Sequence, residues 1–542
     1  MKITRISLTN FRSFHSTQSI DLASVTLLFG PNSVGKSSVL MALAYVQQIL
    51  KKGHCDPQKL DALGDKSIGG FRALVHGQDL SQSIKIRLDF SSKTTPFVHY
   101  GSDVDAMANE IQGVAYLLMD DFGGGTDSVS VEFEIAWSER FKRAYVKYYR
   151  LWTNGIYVGC IFSSEDLKNS YIREINTQHP LLIPYNHDDW LEHIYGEESE
   201  REPLDEDDFH TEFEAVLDQL NPNPANTAAV ADTEGAGTQF VNRVAPVSLA
   251  CRSGAIPYLG NPVVTNLEGQ DFDEVQEHFD FLVVRQVLSQ AFVLPLDNLL
   301  EHLESSVQIG PLRVVPDNEY VPNSHPEQKD WVDGSAAWDL LYKDPSSNDA
   351  IKKLIRNTSE WFASSDKLDA GYEIINRSIA ELSNLPSIPE TMGLMTKRHV
   401  FFKELRTNIL LSANQLGTGI SQVLPLIVAA NHDDVGLISI EQPELHIHPR
   451  FQVELADVFL KAKDSHSFLI ETHSEHIVLR LLKRIRENND DEKAVSIEDI
   501  SITYLTPTPE GTTSQRLNIT YDGDFETDWP HGFFDERDEE LF

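Results

Sequence analysis

One ten-residue stretch constrains this chain more than any other. Phe29-Gly30-Pro31-Asn32-Ser33-Val34-Gly35-Lys36-Ser37-Ser38 fits G-x-x-x-x-G-K-[ST]. The spelling has a physical reason. Gly30 and Gly35 let the backbone curl until successive N–H groups point inward at phosphate oxygens. Lys36 brings a point charge to the β- and γ-phosphates of a nucleotide, and Ser37 offers a hydroxyl to Mg²⁺. Asn32, Ser33 and Ser38 belong to the same loop. The flanks agree: Ser24 to Phe29 reads as a buried strand, and Ser37 to Leu50 as a helix with Val39, Leu40, Leu43, Val46 and Leu50 apolar. That helix aims its N-terminus at the phosphates.

The 542 residues leave room for about two to four domains. A net charge of −38 weighs against uniform binding to nucleic-acid backbones, because the summed field repels polyanions. A local basic groove is compatible with that sum; Lys397, Arg398, Lys403 and Arg406 are candidates, as are Lys483, Arg484 and Arg486. The acidity either keeps the chain soluble or recruits a basic partner. No run of about 18 apolar residues appears, so no membrane span is expected. Met1-Lys-Ile-Thr-Arg-Ile alternates like a strand and lacks a signal peptide's apolar core. Cys55, Cys160 and Cys251 are too scattered for a disulfide framework or a zinc knuckle, which points to a reducing cytosol.

Patterning divides the chain into four segments: 1–90 with the phosphate loop, 91–180, 181–395 and 396–542. Ser83 to Phe90, Ser128 to Trp137 and Arg143 to Phe162 alternate and are rich in aromatic and β-branched residues, which predicts a small antiparallel sheet with a Gly123-Gly-Gly125 tip. Residues 187–218 are dense in Asp and Glu and precede Asn221-Pro-Asn-Pro224. They read as an inserted flexible loop, either a docking arm or a solvated surface. Residues 273–305 have helical period with a break expected at Pro295, and 336–384 predict further helices. From 398 onward largely apolar strands return: His399 to Phe402, Asn408 to Leu411, Val435 to Ile440 and Phe468 to Ile470, with an apolar helix at Ser421 to Ala430. Such strands suit a parallel sheet covered on both faces.

Three further stretches carry chemistry. Leu437-Ile-Ser-Ile440 ends in Glu441, so a strand carries a carboxylate to the edge where ligands bind in open α/β folds; Glu441 is the candidate magnesium partner of Ser37. Gln415-Leu-Gly417-Thr-Gly419-Ile-Ser421-Gln422 is a glycine-rich turn before a helix, either a second anion site or a helix capped by Ser421. His473, after Ile470-Glu471-Thr472, ends a core strand, where an imidazole can sense a γ-phosphate by a hydrogen bond.

The order of these elements resembles the SMC/RecF/OLD branch of ABC-type ATPases, and Asn10-Phe11-Arg12-Ser13-Phe14 looks typical of it. A narrower resemblance rests on Gly417-x-Gly419-x-Ser421-Gln422, on Ile440-Glu-Gln-Pro-Glu444-Leu-His446-Ile-His448-Pro449, on Gly310-Pro-Leu-Arg313, and on Trp529-Pro-His-Gly532-Phe-Phe-Asp535. These resemble bacterial AAA ATPases related to OLD proteins, a family that includes the PtuA ATPases of Septu and retron-associated antiphage systems. The resemblance implies an ABC/SMC-head-like P-loop lobe with a β lobe and an inserted acidic and helical region. It implies ATP and Mg²⁺ as cofactors, Arg12 near the nucleotide, and Gly417, Gly419, Ser421 and Gln422 as a signature loop capping the nucleotide of a second copy in a dimer. It also implies a separate HNH nuclease partner of the PtuB kind, with a retron reverse transcriptase and its DNA as further partners. The direct competitor is a RecF-like repair ATPase that touches DNA itself. Gln442 departs from the pattern: that position usually holds a catalytic Glu, and a carboxamide orients water but is a poor base. Either Glu444 takes part, or hydrolysis is slow and the chain is a nucleotide-gated scaffold. About 70 residues follow His473, too few for the Toprim nuclease of OLD enzymes, so the chain is expected not to be a nuclease; Asp522, Asp524, Asp528 and Asp535 read as a solvated tail, and a His446–His448–Glu444 metal site as a weaker possibility. Lys36→Ala is expected to abolish ATP binding, measured by titration with a fluorescent ATP analogue; unchanged affinity would remove the central reading.

Overall fold

The computed structural model describes residues 1–64, 66–91, 100, 127–167, 169–176, 179, 247–265, 275–346, 348–380, 396–487, 495–527 and 529. Contacts divide the chain into two compact units. Unit 1 comprises Met1–Ser19, Tyr45–Gln58 and Ile68–His302; unit 2 comprises Ile20–Ala44, Lys59–Ser67 and Leu303–Phe542. These units cut across the four segments read from the sequence. The phosphate loop and the 303–395 stretch share unit 2, while residues 2–9 and 84–91 are strands of unit 1. The Gly123–Gly125 tip, the acidic 187–218 stretch and positions 530–535 lie outside the described residues.

The sheet that fills most of unit 1 has eight strands, larger than the small sheet expected, and its edge strand Gln18–Asp21 straddles the unit boundary at Ile20. Its order is β2 (Gln18–Asp21), β1 (Lys2–Thr9), β4 (Ile84–Ser91), β5 (Ser128–Ser138), β6 (Arg143–Thr153), β7 (Ile156–Ser163), β8 (Ser170–Ile175), β9 (Val247–Leu249). From β1 to β9 each strand runs antiparallel to its neighbour. Alternation along β4 buries Ile84, Ile86, Leu88 and Phe90 on one face. After the early helices α1 (Lys36–Lys52) and α2 (Gly70–Leu74), a short hairpin, β10 (Cys251–Ser253) and β11 (Ile256–Pro257), leads to α3 (Val275–Phe292) and α4 (Leu294–Glu304). The expected break falls at Val293, because Pro295 cannot donate within the first helix and fits the first turn of the next. The three cysteines are free, and burial pushes their thiols well up, Cys160 to about 11.

Unit 2 holds a six-stranded sheet in the order β12 (Val307–Ile309), β16 (Leu437–Glu441), β17 (Ser467–Glu471), β3 (Val25–Phe29), β18 (Ile500–Thr508), β19 (Gly511–Leu517). The first five are parallel; only β19 runs antiparallel. The central strands read Val-Thr-Leu-Leu-Phe, Leu-Ile-Ser-Ile-Glu and Ser-Phe-Leu-Ile-Glu, with the apolar residues buried on both faces as in a covered parallel sheet. In register, Ile440 meets Ile470 and Ile470 meets Leu27, so the carboxyl ends of β16, β17 and β3 finish level. A three-stranded sheet, β13 (Tyr372–Ala380), β14 (Thr396–Glu404) and β15 (Leu410–Leu411), stands apart. Here the structure corrects the reading of 336–384 as helical. Helices α5 (Ser335–Tyr342) and α6 (Asp349–Ala363) are present, but 372–380 is a strand whose Ile374 packs inward while Arg377 stays exposed, a period of two.

Three more helices close unit 2: α7 (Thr418–Ala430), α8 (Pro449–Lys461) and α9 (Glu475–Glu487). α7 is buried from Ile420 to Ala430, as an apolar-all-round helix must be. Its Pro425 is seated against Gly334, where a Cβ would come within 2.8 Å of the proline ring. No helix among the described residues is long and apolar enough to cross a membrane. Charge fastens α8 to α9. Arg480 and Arg484 both donate to buried Asp457, at 2.7–3.0 Å. Burial pushes the Asp457 carboxyl up, but hydrogen bonds and charge from both arginines outweigh this and hold it below its ordinary value. Its contribution is therefore complete above the usual carboxylate range and is lost as pH falls through the lowered value. Asp457→Asn is expected to cost about 3 kcal/mol at pH 7, with the gap to the native chain closing in acid; urea unfolding at several pH values checks both.

Candidate functional site

The level strand ends of unit 2 gather the chemistry. β3 stops at Phe29, and the chain enters the loop through Gly30 at φ 139°. A Cβ at Gly30 would lie 2.4 Å from the Leu505 carbonyl oxygen of β18, so only glycine fits. Gly35 turns at φ 113° and Ser33 at 63°. Thr512 Oγ1 of β19 donates to the Val34 carbonyl at 2.5 Å, holding the loop from the other side. Asn32 and Ser33 are exposed and Ser38 is buried; α1 (Lys36–Lys52) starts at the loop's end, as the sequence predicts.

Lys36 is buried, and its ammonium donates to the carbonyls of Gly30 at 2.8 Å and Pro31 at 2.9 Å. Burial lowers its pKa, opposed by the nearby Glu471 and Glu444 carboxylates. Ser37 Oγ donates to Glu471 Oε2 at 2.6 Å, and Lys36 Nζ lies 3.9 Å from Glu471 Oε1. The hydroxyl expected to partner Glu441 thus meets the acid of the neighbouring strand, because Glu441 and Glu471 are register partners at the ends of β16 and β17. Glu441 accepts from Gln308 Nε2 at 2.7 Å and is approached by Lys66 at 4.0 Å. Burial raises the Glu471 pKa, and the charge of Glu441 adds to that, against Ser37 and Lys36. Two carboxylates and a hydroxyl at one sheet edge are hard oxygen donors, and they fit Mg²⁺, which keeps several waters and takes few protein ligands. Ser37, Glu471 and Glu441 would hold it; a bound ion neutralises charge on the nucleotide's phosphates.

Glu471 was missed by sequence reasoning, and Gln308 with it. The signal was present: Phe468-Leu-Ile-Glu471 repeats the spelling of Leu437-Ile-Ser-Ile-Glu441, apolar strand then acid. Gln442 sits at φ 45°, its N–H donating to the Glu471 carbonyl at 2.8 Å. Glu444 is engaged on both oxygens: Thr472 Oγ1 donates at 2.7 Å and the His473 N–H at 2.8 Å. Burial, then the charge of Lys36, lowers the His473 pKa and favours neutral imidazole. His448 caps α8 through its ring nitrogen, and among the described residues no group of three or more His, Cys, Asp or Glu could hold a metal.

The glycine-rich turn splits. α7 begins at Thr418, earlier than Ser421, with Gly417 as its N-cap. Gly417 and Thr418 are exposed and Gly419 half-buried, but Ser421 and Gln422 are turned inward, 1% and 8% exposed. Those two do not face outward as a capping loop implies, because α7 is already packed all round from Ile420 onward. Arg12 belongs to unit 1, at φ 52° in a turn where its N–H donates to the Leu74 carbonyl and His76 Nδ1 donates to the Arg12 carbonyl, each at 2.7 Å. Most basic candidates have acids beside them: Arg398 with Asp344, Lys403 with Glu373, Arg406 with Glu404, Lys483 and Arg484 with Glu487, Arg486 with Asp524.

Residues 1–186 and 332–478, well over half of the chain, match the family model of the AAA ATPase domain. No curated protein matches the chain by sequence. Similar solved structures include an SMC head bound to the C-winged helix domain of ScpA, at 11% identity over 96% of this chain and 98% of that one, TM-score 0.37. The SMC head domain from Thermotoga maritima matches at 9% identity over 96% and 100%, TM-score 0.36. An Smc head domain with a coiled coil and joint from Pyrococcus yayanosii matches at 10% identity over 100% and 99%, TM-score 0.37. Glu471→Gln is expected to weaken the magnesium requirement's affinity by about tenfold or more, read from ATP binding titrated with Mg²⁺; an unchanged Mg²⁺ midpoint would remove Glu471 from the ion's surroundings.

Proposed function

The chain belongs to the AAA ATPase domain family, and on that premise we propose that it is an ATP-gated switch working as a dimer. ATP binding and hydrolysis come with the family; the dimer, the pace and the purpose are the proposal. One chain carries one phosphate loop and one glycine-rich turn at the start of α7, so each nucleotide would be enclosed by Gly30–Ser38 of one copy and Gly417–Gly419 of the other. The observation that carries this is Gly417. Its φ is −60° and a Cβ there would meet nothing within 4 Å, so the fold does not require glycine. A glycine the fold does not need leaves backbone open to close approach by something outside the chain.

Slow turnover is the second part. Beside Glu441 stands Gln442, a group that can orient water but removes a proton poorly. After Glu441, Glu444 is the next carboxylate in sequence, but both its oxygens are engaged within the chain. An enzyme that closes on ATP and hydrolyses it slowly suits gating a partner better than driving a motor. Following the resemblance, the partner is an effector nuclease of the HNH type in antiphage defence, with a retron reverse transcriptase and its DNA in some settings. Pairing of most basic candidates with acids, in a chain of charge −38, favours a protein partner over direct DNA contact.

Two measurements test this reading. With Mg²⁺-ATP the native chain is expected to double from its 61.0 kDa mass in light scattering, while Gly417→Glu stays monomeric with ATP affinity within about twofold of native; a native chain that remains monomeric would sink the dimer. Gln442→Glu is expected to raise steady-state turnover by about tenfold or more; turnover equal to native would remove Gln442 as the brake.

A further inference from the structure

Arg313 lies outside the residues that match the family model. It follows β12 and is 5% exposed, and burial lowers its guanidinium pKa to about 10. The guanidinium spends its donors on backbone of two different elements. Nη1 donates to the Gln422 carbonyl of α7 at 3.3 Å; Nη2 donates to the carbonyls of Glu441 at 3.2 Å and Gln442 at 3.3 Å. Gln422 answers, its Nε2 donating to the Arg313 carbonyl at 2.8 Å. The arginine's own loop is fixed on both sides: Gly310 N–H donates to the Val332 carbonyl and Val314 N–H to the Asp333 carbonyl, each at 2.8 Å.

The junction is incompletely satisfied. Arg313 Nε, Gln422 Oε1 and Ser421 Oγ are all buried without a hydrogen-bond partner. Buried orphans of this kind are destabilising, because each lost its hydrogen bonds to water on folding. Donor and acceptor capacity stands unused on the same two side chains that already hold each other. The junction thus carries unsatisfied groups on both of its partners. It also spans the two places that matter: the inner side of the α7 start, four to five residues after Gly417, and the left-handed Gln442 peptide beside Glu441.

We propose that Arg313 is a positioning residue which, with Gln422, makes the start of α7 and the Gln442 peptide move as one body. Contact of a second copy at Gly417 is then felt beside Glu441 of the same chain, so that the two enclosed nucleotides are not independent. The proposal rests on the dimer reading above and deepens it.

Hydrogen exchange on the full chain with and without Mg²⁺-ATP tests it. In the native protein, ATP should slow amide exchange in both 418–424 and 441–446. In Arg313→Gln, ATP affinity should stay within about twofold and 418–424 should still be protected, while the slowing at 441–446 disappears and turnover falls by about tenfold or more. Gln422→Leu, a second route to the same loss should Arg313→Gln fail to fold, should behave likewise, and the double variant should be no worse than either single one. Protection at 441–446 that survives both variants overturns the proposal, as do strictly additive losses or a loss of ATP affinity in step with turnover. A native chain that dimerises with ATP while 441–446 ignores the variants condemns Arg313 alone; a native chain that never dimerises removes both readings.

Discussion

The constraint on which the rest depends is the common finish line of β3, β16 and β17. Three parallel strands in register end at Phe29, Glu441 and Glu471, and their ends put a lysine, a hydroxyl and two carboxylates within a few ångströms. None of these groups would tolerate such burial alone. Lys36 is stabilised by the Gly30 and Pro31 carbonyls, Ser37 and Glu471 by one another, Glu441 by Gln308. Like charges on adjacent strands are costly, and a divalent cation is the chemical answer to that cost. A one-residue slip of β17 against β16 would turn Glu471 to the other face and dissolve the arrangement.

Much of this was legible in the sequence because local physics and global fold agree there. The phosphate loop, its strand and its helix follow from glycine freedom, apolar runs and helical period, each a short-range signal. The apolar spelling of Leu437–Glu441 and the β character of 128–163 were equally readable. What could not be read was which acid meets Ser37. That depends on the order β16-β17-β3, a long-range fact that no periodicity encodes. The helical reading of 336–384 fails at the strand 372–380 for a related reason. Tyr372-Glu-Ile-Ile-Asn-Arg-Ser-Ile-Ala has mixed local preference, and its pairing with β14 decides. Ser421 and Gln422 are buried because α7 is packed on every side from Ile420 onward, a tertiary fact that a glycine-rich spelling before an apolar helix does not encode.

Glycines separate structural need from functional use. Gly30 and Gly417 look alike in the sequence, each opening a turn before a helix. The structure distinguishes them by what a methyl group would meet: a carbonyl oxygen at 2.4 Å in one case, open space in the other. The first glycine is demanded by the fold. The second is tolerant of a side chain so far as the chain itself is concerned, which directs attention to what approaches from outside.

The walls of the phosphate loop come from the far end of the chain. Leu505 stands 2.4 Å from the position a Cβ of Gly30 would take, and Thr512 fastens Val34 across 478 residues. A ribosome making this protein therefore releases the loop's sequence well before its enclosure. Until β18 and β19 have emerged, the glycine-rich segment lacks its backing, and the growing chain has no finished pocket with which to draw on the cell's ATP.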